Sequence, residues 1–332
     1  MKTRRLGKRG PEVSAVGMGC LGFSHGYGPA PSEEEAVRLI RRAYELGCTF
    51  FDTAEGYGPY VNEELVGRAV APFRDRIVLA TKFSPLLLPG QNVPEGKLSR
   101  RGVRRAVEDS LRRLHTDCID IYYEHRVSEG SCVEDVALWM GELIKEGKIR
   151  GWGQSQPSEE QMRRAHAVTP LTAVQSEYSI MERMFEKDVI PACEELGIGF
   201  VAFSPLASGF LSGRCSVNDT YEGDDVRRVI TRFSRENMLA NQPLTELLSR
   251  FAGEKKVTPA QLSLAWMLHG RNFVVPIPGM RSEKRIEENL GAADVELTDE
   301  EFAALEKALS GMVIHGNRTD EDIERLGTVR AQ

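Results

Sequence analysis

Short apolar runs alternate along this chain with longer stretches whose apolar residues recur at helical spacing. After an opening turn at residues 7–10 the first run is Ala15-Val16-Gly17-Met18. Pro31-Ser32-Glu33-Glu34-Glu35 then opens a helix, with Ser32 placed as N-cap and Glu35 as its capping-box partner. Ala36, Leu39, Ile40, Ala43 and Leu46 follow at helical spacing, and Gly47 stands where a helix ends in a left-handed residue. Runs at 48–51, 77–80, 119–123, 149–152, 173–175, 199–203 and 273–276 continue the series. Helices are predicted between them near 63–71, 101–114, 133–146, from Ser158, near 188–196 and from Thr258-Pro259, with a last helix beginning near Ser282.

Eight runs, most followed by a helix and with no polar linker dividing the chain, predict consecutive parallel βα units. At 332 residues they predict one (β/α)8 TIM barrel, a single α/β domain over 1–332 with an N-terminal β-hairpin. A doubly wound open sheet is the competitor, but no GxGxxG follows the first run. Two connections, 84–98 and 204–257, exceed simple links, and the second is predicted to hold a helix near 242–252. Both leave strand C-termini, the end at which barrels build their sites, so long loops are expected to wall the C-terminal rim.

Composition narrows the function classes. The net charge of −6 is spread among interspersed acids and bases, which argues against a nucleic-acid or membrane-surface partner. The six cysteines include no CxxC pair and no zinc-ligand spacing, and several lie in apolar runs, as Cys48 and Cys118 do, so they read as buried small hydrophobes. With no apolar signal core near Met1 and no run of about 20 apolar residues, a cytoplasmic protein is expected. No His/Asp/Glu cluster sits at ligand spacing on the strand ends, which disfavours metal-dependent chemistry.

Four residues at or just beyond strand ends carry compatible chemistry: Asp52, Tyr57, Lys82 and His125. A carbonyl that accepts a hydride develops negative charge on oxygen and needs a proton. A phenol with a pKa near ~10 is a poor proton donor–acceptor at neutral pH, and an adjacent ammonium is expected to lower that value. A carboxylate would hold the ammonium in place, and an imidazole could orient and polarise the carbonyl. Each residue alone has an ordinary explanation: a turn-forming aspartate, a loop tyrosine, a solvated lysine, a structural histidine. Their joint occurrence on three successive strand ends favours the chemical reading.

The chain resembles the aldo-keto reductases over nearly its whole length, most closely their bacterial and plant branch. The stretches that carry the resemblance are Asp52-Thr53-Ala54-Glu55-Gly56-Tyr57-Gly58, Asn62-Glu63-Glu64-Leu65-Val66-Gly67, Ala80-Thr81-Lys82-Phe83, Tyr122-Tyr123-Glu124-His125-Arg126-Val127, Val174-Gln175-Ser176-Glu177-Tyr178-Ser179, Ser204-Pro205-Leu206 and Ile277-Pro278-Gly279 through Glu288-Asn289-Leu290. The resemblance implies a catalytic tetrad of Asp52, Tyr57, Lys82 and His125, with Tyr57 as general acid, and NADPH extended across the C-terminal rim. It places Ser155, Gln156 and Gln175 on the nicotinamide carboxamide and Phe203 against the ring. It places the backbone at Ser204 and Leu206 on the pyrophosphate, Gly279 among the cofactor-binding residues, Arg281 and Arg285 on the 2′-phosphate, and Glu288 and Asn289 on the adenine amine. An amide that both donates and accepts suits a carboxamide, and a helix N-terminus flanked by arginines suits a phosphate.

Three positions depart from the family pattern. Gly153-Gln154-Ser155-Gln156 stands where the fourth residue is usually Asn or Glu, Phe203 where Tyr or Trp is commoner, and Met280 where small or hydroxyl residues are common. The implied activity is NADPH-dependent reduction of a small-molecule aldehyde or ketone. The alternative is an NADPH-sensing binding subunit with slow turnover. The loops at 21–31, 84–98 and 207–235 and the tail after Gly311 would set the substrate, with Leu21, Phe23, Tyr27, Leu86, Leu87 and Leu88 pointing to an apolar pocket.

Overall fold

The computed structural model describes residues 1–84, 98–127 and 132–318. Leu86, Leu87 and Leu88, most of the 84–98 connection and the tail from 319 onward lie outside the described residues. The chain opens with an antiparallel hairpin of β1 (Thr3–Arg5) and β2 (Glu12–Ser14). The barrel strands follow: β3 (Met18–Gly19), β4 (Phe50–Asp52), β5 (Val78–Phe83), β6 (Ile119–Glu124), β7 (Ile149–Ser155), β8 (Ala173–Glu177), β9 (Gly199–Phe203) and β10 (Val274–Pro276). They pair in parallel in chain order as one eight-stranded sheet. Its two ends meet through Gly17 N–H to Pro276 O at 2.9 Å, Gly19 N–H to Pro278 O at 3.1 Å and a parallel bridge between Gly19 and Gly279. These bonds close the predicted (β/α)8 barrel.

Helices α1 (Glu33–Glu45), α2 (Val61–Val70), α3 (Arg100–Arg113), α4 (Val133–Lys145), α5 (Glu159–Val168), α6 (Val189–Leu196), α7 (Arg235–Ala240), α8 (Gln242–Lys255), α9 (Pro259–Leu268), α10 (Glu283–Gly291) and α11 (Asp299–Leu309) surround it. The runs read as continuously apolar because each strand is covered on both faces. Phe50, Val78, Ala80, Ile121, Tyr123, Val201 and Val275 fill the barrel interior, while their neighbours Phe51, Leu79 and Tyr122 face the helices. Leu6 and Val13 of the hairpin join the interior set and plug the N-terminal end. The hairpin is also tied to α9, since Arg4 Nη2 donates to Leu268 O at 2.5 Å and satisfies a C-terminal carbonyl of that helix.

Local signals behave as their chemistry dictates. Ser32 accepts the Glu35 N–H at 3.2 Å and Gly47 follows α1 with φ +94°. The expected return bond from Glu35 is replaced, because both its carboxylate oxygens accept from Arg38 at 2.8 Å. Full capping boxes form instead at Ser158/Gln161, Thr258/Gln261 and Thr298/Glu301. The helix beginning near Ser282 is not the last, for Thr298 caps α11 after it. The first run pairs with β4 only from Met18, since Ala15 N–H still bonds Lys2 O beside the hairpin. Among the cysteines Cys20, Cys48 and Cys193 are buried, Cys118 and Cys215 are half-buried and Cys132 is exposed.

The C-terminal rim is heavily built. The connection after β9 carries the short turns Ala207–Ser212, Val226–Arg228 and Thr231–Phe233 before α7 and α8, not one helix alone. It is latched to the loop after β3 by Gly26 N–H on Asp224 Oδ2 at 2.9 Å and Val226 N–H on Gly26 O at 3.0 Å. Residues 312–318 return across this rim, with His315 bonded to Asn241, Asn317 to Thr231 and Arg318 to Glu177. Phe23, expected to help line an apolar pocket, is buried in the strand–helix core. Among the described residues no helix is long and apolar enough to cross a membrane.

Candidate active site

β4 ends at Asp52, and the next residues are pinned to β5 by Thr53 N–H on Ala80 O at 2.9 Å and Glu55 N–H on Lys82 O at 3.1 Å. The chain then turns back on itself: Tyr57 N–H bonds Ala54 O at 3.1 Å, Tyr60 N–H bonds Glu55 O at 2.7 Å, and Tyr60 takes φ +71° before α2. Asn62, from the first turn of α2, locks this loop from behind. It accepts from Thr53 Oγ1 at 2.6 Å and donates to Cys20 O and Ser24 Oγ, both at 2.9 Å. Tyr57 is thereby held over the barrel mouth while the alternation of β5 turns Lys82 inward.

The four residues come together. Lys82 Nζ bonds Asp52 Oδ1, donates to Thr53 O at 2.8 Å and lies 3.1 Å from the Tyr57 hydroxyl. Its three hydrogens therefore have three partners. His125, just beyond β6, meets the Tyr57 ring edge-on at a centroid separation of 5.6 Å. Gln175 Nε2 donates to Asp52 Oδ2 at 2.7 Å, so both carboxylate oxygens accept and Asp52 is ionised.

Electrostatics assign the resting protonation states. Burial pulls the Lys82 ammonium down, but Asp52 and Tyr57 outweigh it and hold it above its ordinary value. Burial raises Asp52, with Lys82 and Gln175 opposing. The phenol departs from expectation: burial pushes Tyr57 above its ordinary value of 10, and Lys82 offsets only part of the rise. Tyr57 is therefore a neutral hydroxyl at neutral pH, a proton donor already loaded. Burial, with Arg126, Lys82 and Arg318 nearby, holds His125 well below the ordinary imidazole range, so it is neutral and able to donate a hydrogen bond.

Gly153 of β7 sits where a Cβ would lie 2.3 Å from Ala173 O and 2.4 Å from the Tyr123 ring, so only glycine lets β7 and β8 approach here. Ser155, at the end of β7, accepts from Arg126 Nη1 at 3.1 Å. Gln156 takes φ +58° and turns its amide oxygen to the Glu177 N–H at 3.3 Å. An asparagine tolerates that left-handed backbone better, so the departure from the family pattern falls on a position where it costs conformational energy. Phe203 closes β9 half-buried, with the guanidiniums of Arg318 and Arg126 at 5.1 and 5.7 Å from its ring centre. Ser204, Ala207 and Ser208 all have φ near +50°, at 48°, 48° and 56°, around Leu206. Such strained non-glycine turns cluster at ligand clamps, and backbone of this kind forms anion-binding concavities.

At the other end of the rim, Arg281 and Arg285 flank the N-terminus of α10, and Arg281 Nη1 is tethered to Pro29 O at 3.0 Å. Burial lowers both guanidiniums, followed by repulsion from Arg227 on Arg281 and from Arg214 on Arg285. The Ser282 side chain makes no capping bond. Arg214, unassigned from sequence, is brought in by Glu288, both of whose oxygens accept from its Nη2 at 2.8 and 2.9 Å. Asn289 is buried, and among the described residues its Oδ1 has no hydrogen-bond partner. Like charges held together beside an uncapped helix start suit a phosphate dianion, and an orphaned buried acceptor suits an amine donor.

Sequence reasoning also passed over Glu55. It is buried beside Glu63, accepts Ser84 N–H at 2.6 Å and lies 3.6 Å from Arg113. Burial pushes its carboxyl up to about 7. With the folded value above the unfolded one, its contribution to stability is present below the ordinary glutamate range and is lost as pH rises through about 7. Glu55→Gln is therefore expected to stabilise the fold at pH 8 by about 1–3 kcal/mol, read as a higher melting temperature, and to change little at pH 5. Equal shifts at the two pH values would refute the burial account.

The Aldo/keto reductase family model matches residues 15–310. Among solved structures, a glycerol dehydrogenase from Gluconobacter oxydans is similar at 28% identity and TM-score 0.81, over 94% of this chain and 96% of that one. A thermostable aldo-keto reductase in complex with the inhibitor epalrestat is similar at 28% identity and TM-score 0.74, over 93% of this chain and 100% of that one. An aldo/keto reductase from Klebsiella pneumoniae, in complex with NADP and acetate, is similar at 29% identity and TM-score 0.71, over 92% of this chain and 95% of that one.

Proposed function

The chain belongs to the aldo/keto reductase family, and from that premise we propose that it is an NADPH-dependent oxidoreductase that reduces aldehydes or ketones, with Tyr57 as the proton donor. The observation that carries this reading is a buried ammonium bridging a carboxylate and a neutral phenol at the barrel mouth, 3.1 Å from the phenol, beside a neutral imidazole. NADPH, when bound, supplies the hydride. Its fit is supported by the arginine cluster at α10, the orphaned Asn289 Oδ1 and the NADP or NADPH complexes of the Klebsiella relative.

The residues divide the remaining work. His125 donates a hydrogen bond to the carbonyl oxygen and fixes its direction. Tyr57 gives the same oxygen its proton as negative charge develops there. Lys82, kept charged by Asp52, steadies the phenolate left behind and needs no rearrangement to do so. Asp52 in turn is anchored by Gln175 from across the barrel. Arg281 and Arg285 would hold the 2′-phosphate, and Asn289 the adenine amine.

The test is NADPH consumption with a panel of aldehydes and ketones. Turnover well above the rate without enzyme is expected for at least one class. Tight NADPH binding with no turnover across the panel would replace this reading by the sensing-subunit alternative. A second measurement concerns the cofactor: Arg281→Ala and Arg285→Ala should each weaken NADPH about ten-fold while changing NADH little. Equal loss for both dinucleotides would show that these arginines do not meet the 2′-phosphate.

A further inference from the structure

The chain leaves the sheet after β4 by an exchange of hydrogen-bond acceptors at Glu55. β4 ends at Asp52, yet two more rungs to β5 follow, Thr53 N–H on Ala80 O at 2.9 Å and Glu55 N–H on Lys82 O at 3.1 Å. In a regular parallel ladder the next rung would run from Ser84 N–H to Glu55 O. Here Glu55 O accepts Tyr60 N–H instead, at 2.7 Å, and closes the turn that carries Tyr57. Ser84 N–H bonds the side chain of the same residue, Glu55 Oε1, at 2.6 Å. The carboxyl thus stands in for its own residue's carbonyl, so the backbone is released to turn while the end of β5 stays paired. On the outer face of β5 the Glu55 carboxyl also lies 3.6 Å from Arg113 of α3. That guanidinium bonds Glu63 of α2 at 2.6 Å and sits 4.6 Å from the centre of the Tyr60 ring.

We propose that Glu55 is a positioning residue for the general acid: by taking the place of its own carbonyl on Ser84, it fixes the turn that holds the Tyr57 hydroxyl beside Lys82. The inference rests on the reductase reading and adds a residue to it. Glu55 works through the loop, since its carboxyl faces α2 and α3 while Tyr57 faces the barrel mouth. What the turn requires is an acceptor at the reach of a glutamate. Both protonation states supply one, because a protonated carboxyl keeps its carbonyl oxygen. Burial raises the carboxyl to about 7, with Glu63 and Asp109 adding to the rise and Ser84 and Arg113 opposing it. The tie survives that titration, and the rate stays flat through neutrality. Misplacing a reacting group by about 1 Å costs on the order of a hundred-fold in rate. The loss belongs in kcat, because Glu55 gives no binding energy to substrate or cofactor.

The experiment compares the wild type with Glu55→Ala, Glu55→Asp and Glu55→Gln, using an aldehyde that the wild type reduces, and follows amide exchange of Ser84 by NMR. Gln keeps an oxygen at the same reach and removes the charge, whereas Asp keeps the charge and draws the oxygen back by one methylene. Glu55→Ala and Glu55→Asp are expected to lose about ten- to a hundred-fold in kcat, with KM and NADPH affinity within a few-fold of the wild type. Their solvent deuterium isotope effect on kcat should grow as proton delivery slows. Glu55→Gln should recover most of the rate. A folded Glu55→Asp with the wild-type kcat overturns the proposal. So does a Glu55→Gln as slow as Glu55→Asp, which would assign the effect to the charge. This pair decides the matter even should Glu55→Ala fail to fold. Ser84 exchange requires no turnover and keeps the two readings apart. Protection in the wild type that is lost in Glu55→Asp supports the tie even where no carbonyl is reduced, and fast exchange in the wild type overturns it.

Discussion

Replacing Tyr57 by Phe is expected to lower kcat for the proposed carbonyl reduction by about 10²- to 10⁴-fold, the usual worth of a positioned general acid, and to leave NADPH affinity within a few-fold of the wild type. The reason is local. The phenylalanine ring still packs edge-on against His125, so the loop from Asp52 to α2 keeps its shape. What disappears is the hydroxyl 3.1 Å from Lys82 Nζ, and with it the proton. Stopped-flow turnover together with a fluorescence titration of NADPH separates these effects. A variant that retained a tenth of the wild-type rate would remove Tyr57 from the role of acid.

The pH profile of the wild type follows from the same group. Burial pushes the phenol above 10 while Lys82 pulls it back in part, so the protonated form that reduction consumes prevails throughout the neutral range. His125, depressed well below the ordinary imidazole range, stays neutral there as well. Reduction is expected to be flat between about pH 6 and pH 9 and to fall only as the phenol ionises at higher pH.

Lys82→Met has the second largest effect, and it strikes stability as well as rate. Removing one member of a buried ion pair leaves the other uncompensated, which costs about 3–5 kcal/mol. Here the abandoned group is Asp52, only 2% exposed and left with Gln175 as its donor. Without the ammonium, burial drives the Asp52 carboxyl upward. A folded-state value above the unfolded one stabilises at low pH and loses that contribution as pH rises, so the melting-temperature deficit of Lys82→Met should shrink towards pH 5. Adding Asp52→Leu removes the orphaned charge and should restore much of the stability without restoring activity. If the single variant melted with the wild type, the pair would not be the buried, mutually dependent unit that the geometry describes.

Much of the architecture was legible in the chain because it is written in short-range terms. Apolar runs covered on both faces, caps such as Ser158 and Thr258, and the glycine after α1 act over a few residues, and their order alone predicts eight βα units. The tetrad was legible for a related reason: in a parallel barrel every strand's C-terminus reaches the same rim, so Asp52, Lys82 and His125 on successive strands have to be neighbours. The helix α11 was missed, although Thr298-Asp299-Glu300-Glu301 is a cap signal of the same kind.

Only the tertiary structure decided what depends on burial and on partners distant in sequence. The phenol's rise instead of its expected fall comes from desolvation at the barrel mouth, which no spacing along the chain encodes. Gln175 turned out to anchor Asp52 from 123 residues away, and Glu288 to hold Arg214 from 74 residues away. Arg318 reaches Phe203 because the segment after α11 folds back over the rim. Periodicity and capping determine which elements form and in what order. The charge state of a side chain and the company it keeps are set by solvent exclusion and long-range contacts, which exist only once the barrel has closed.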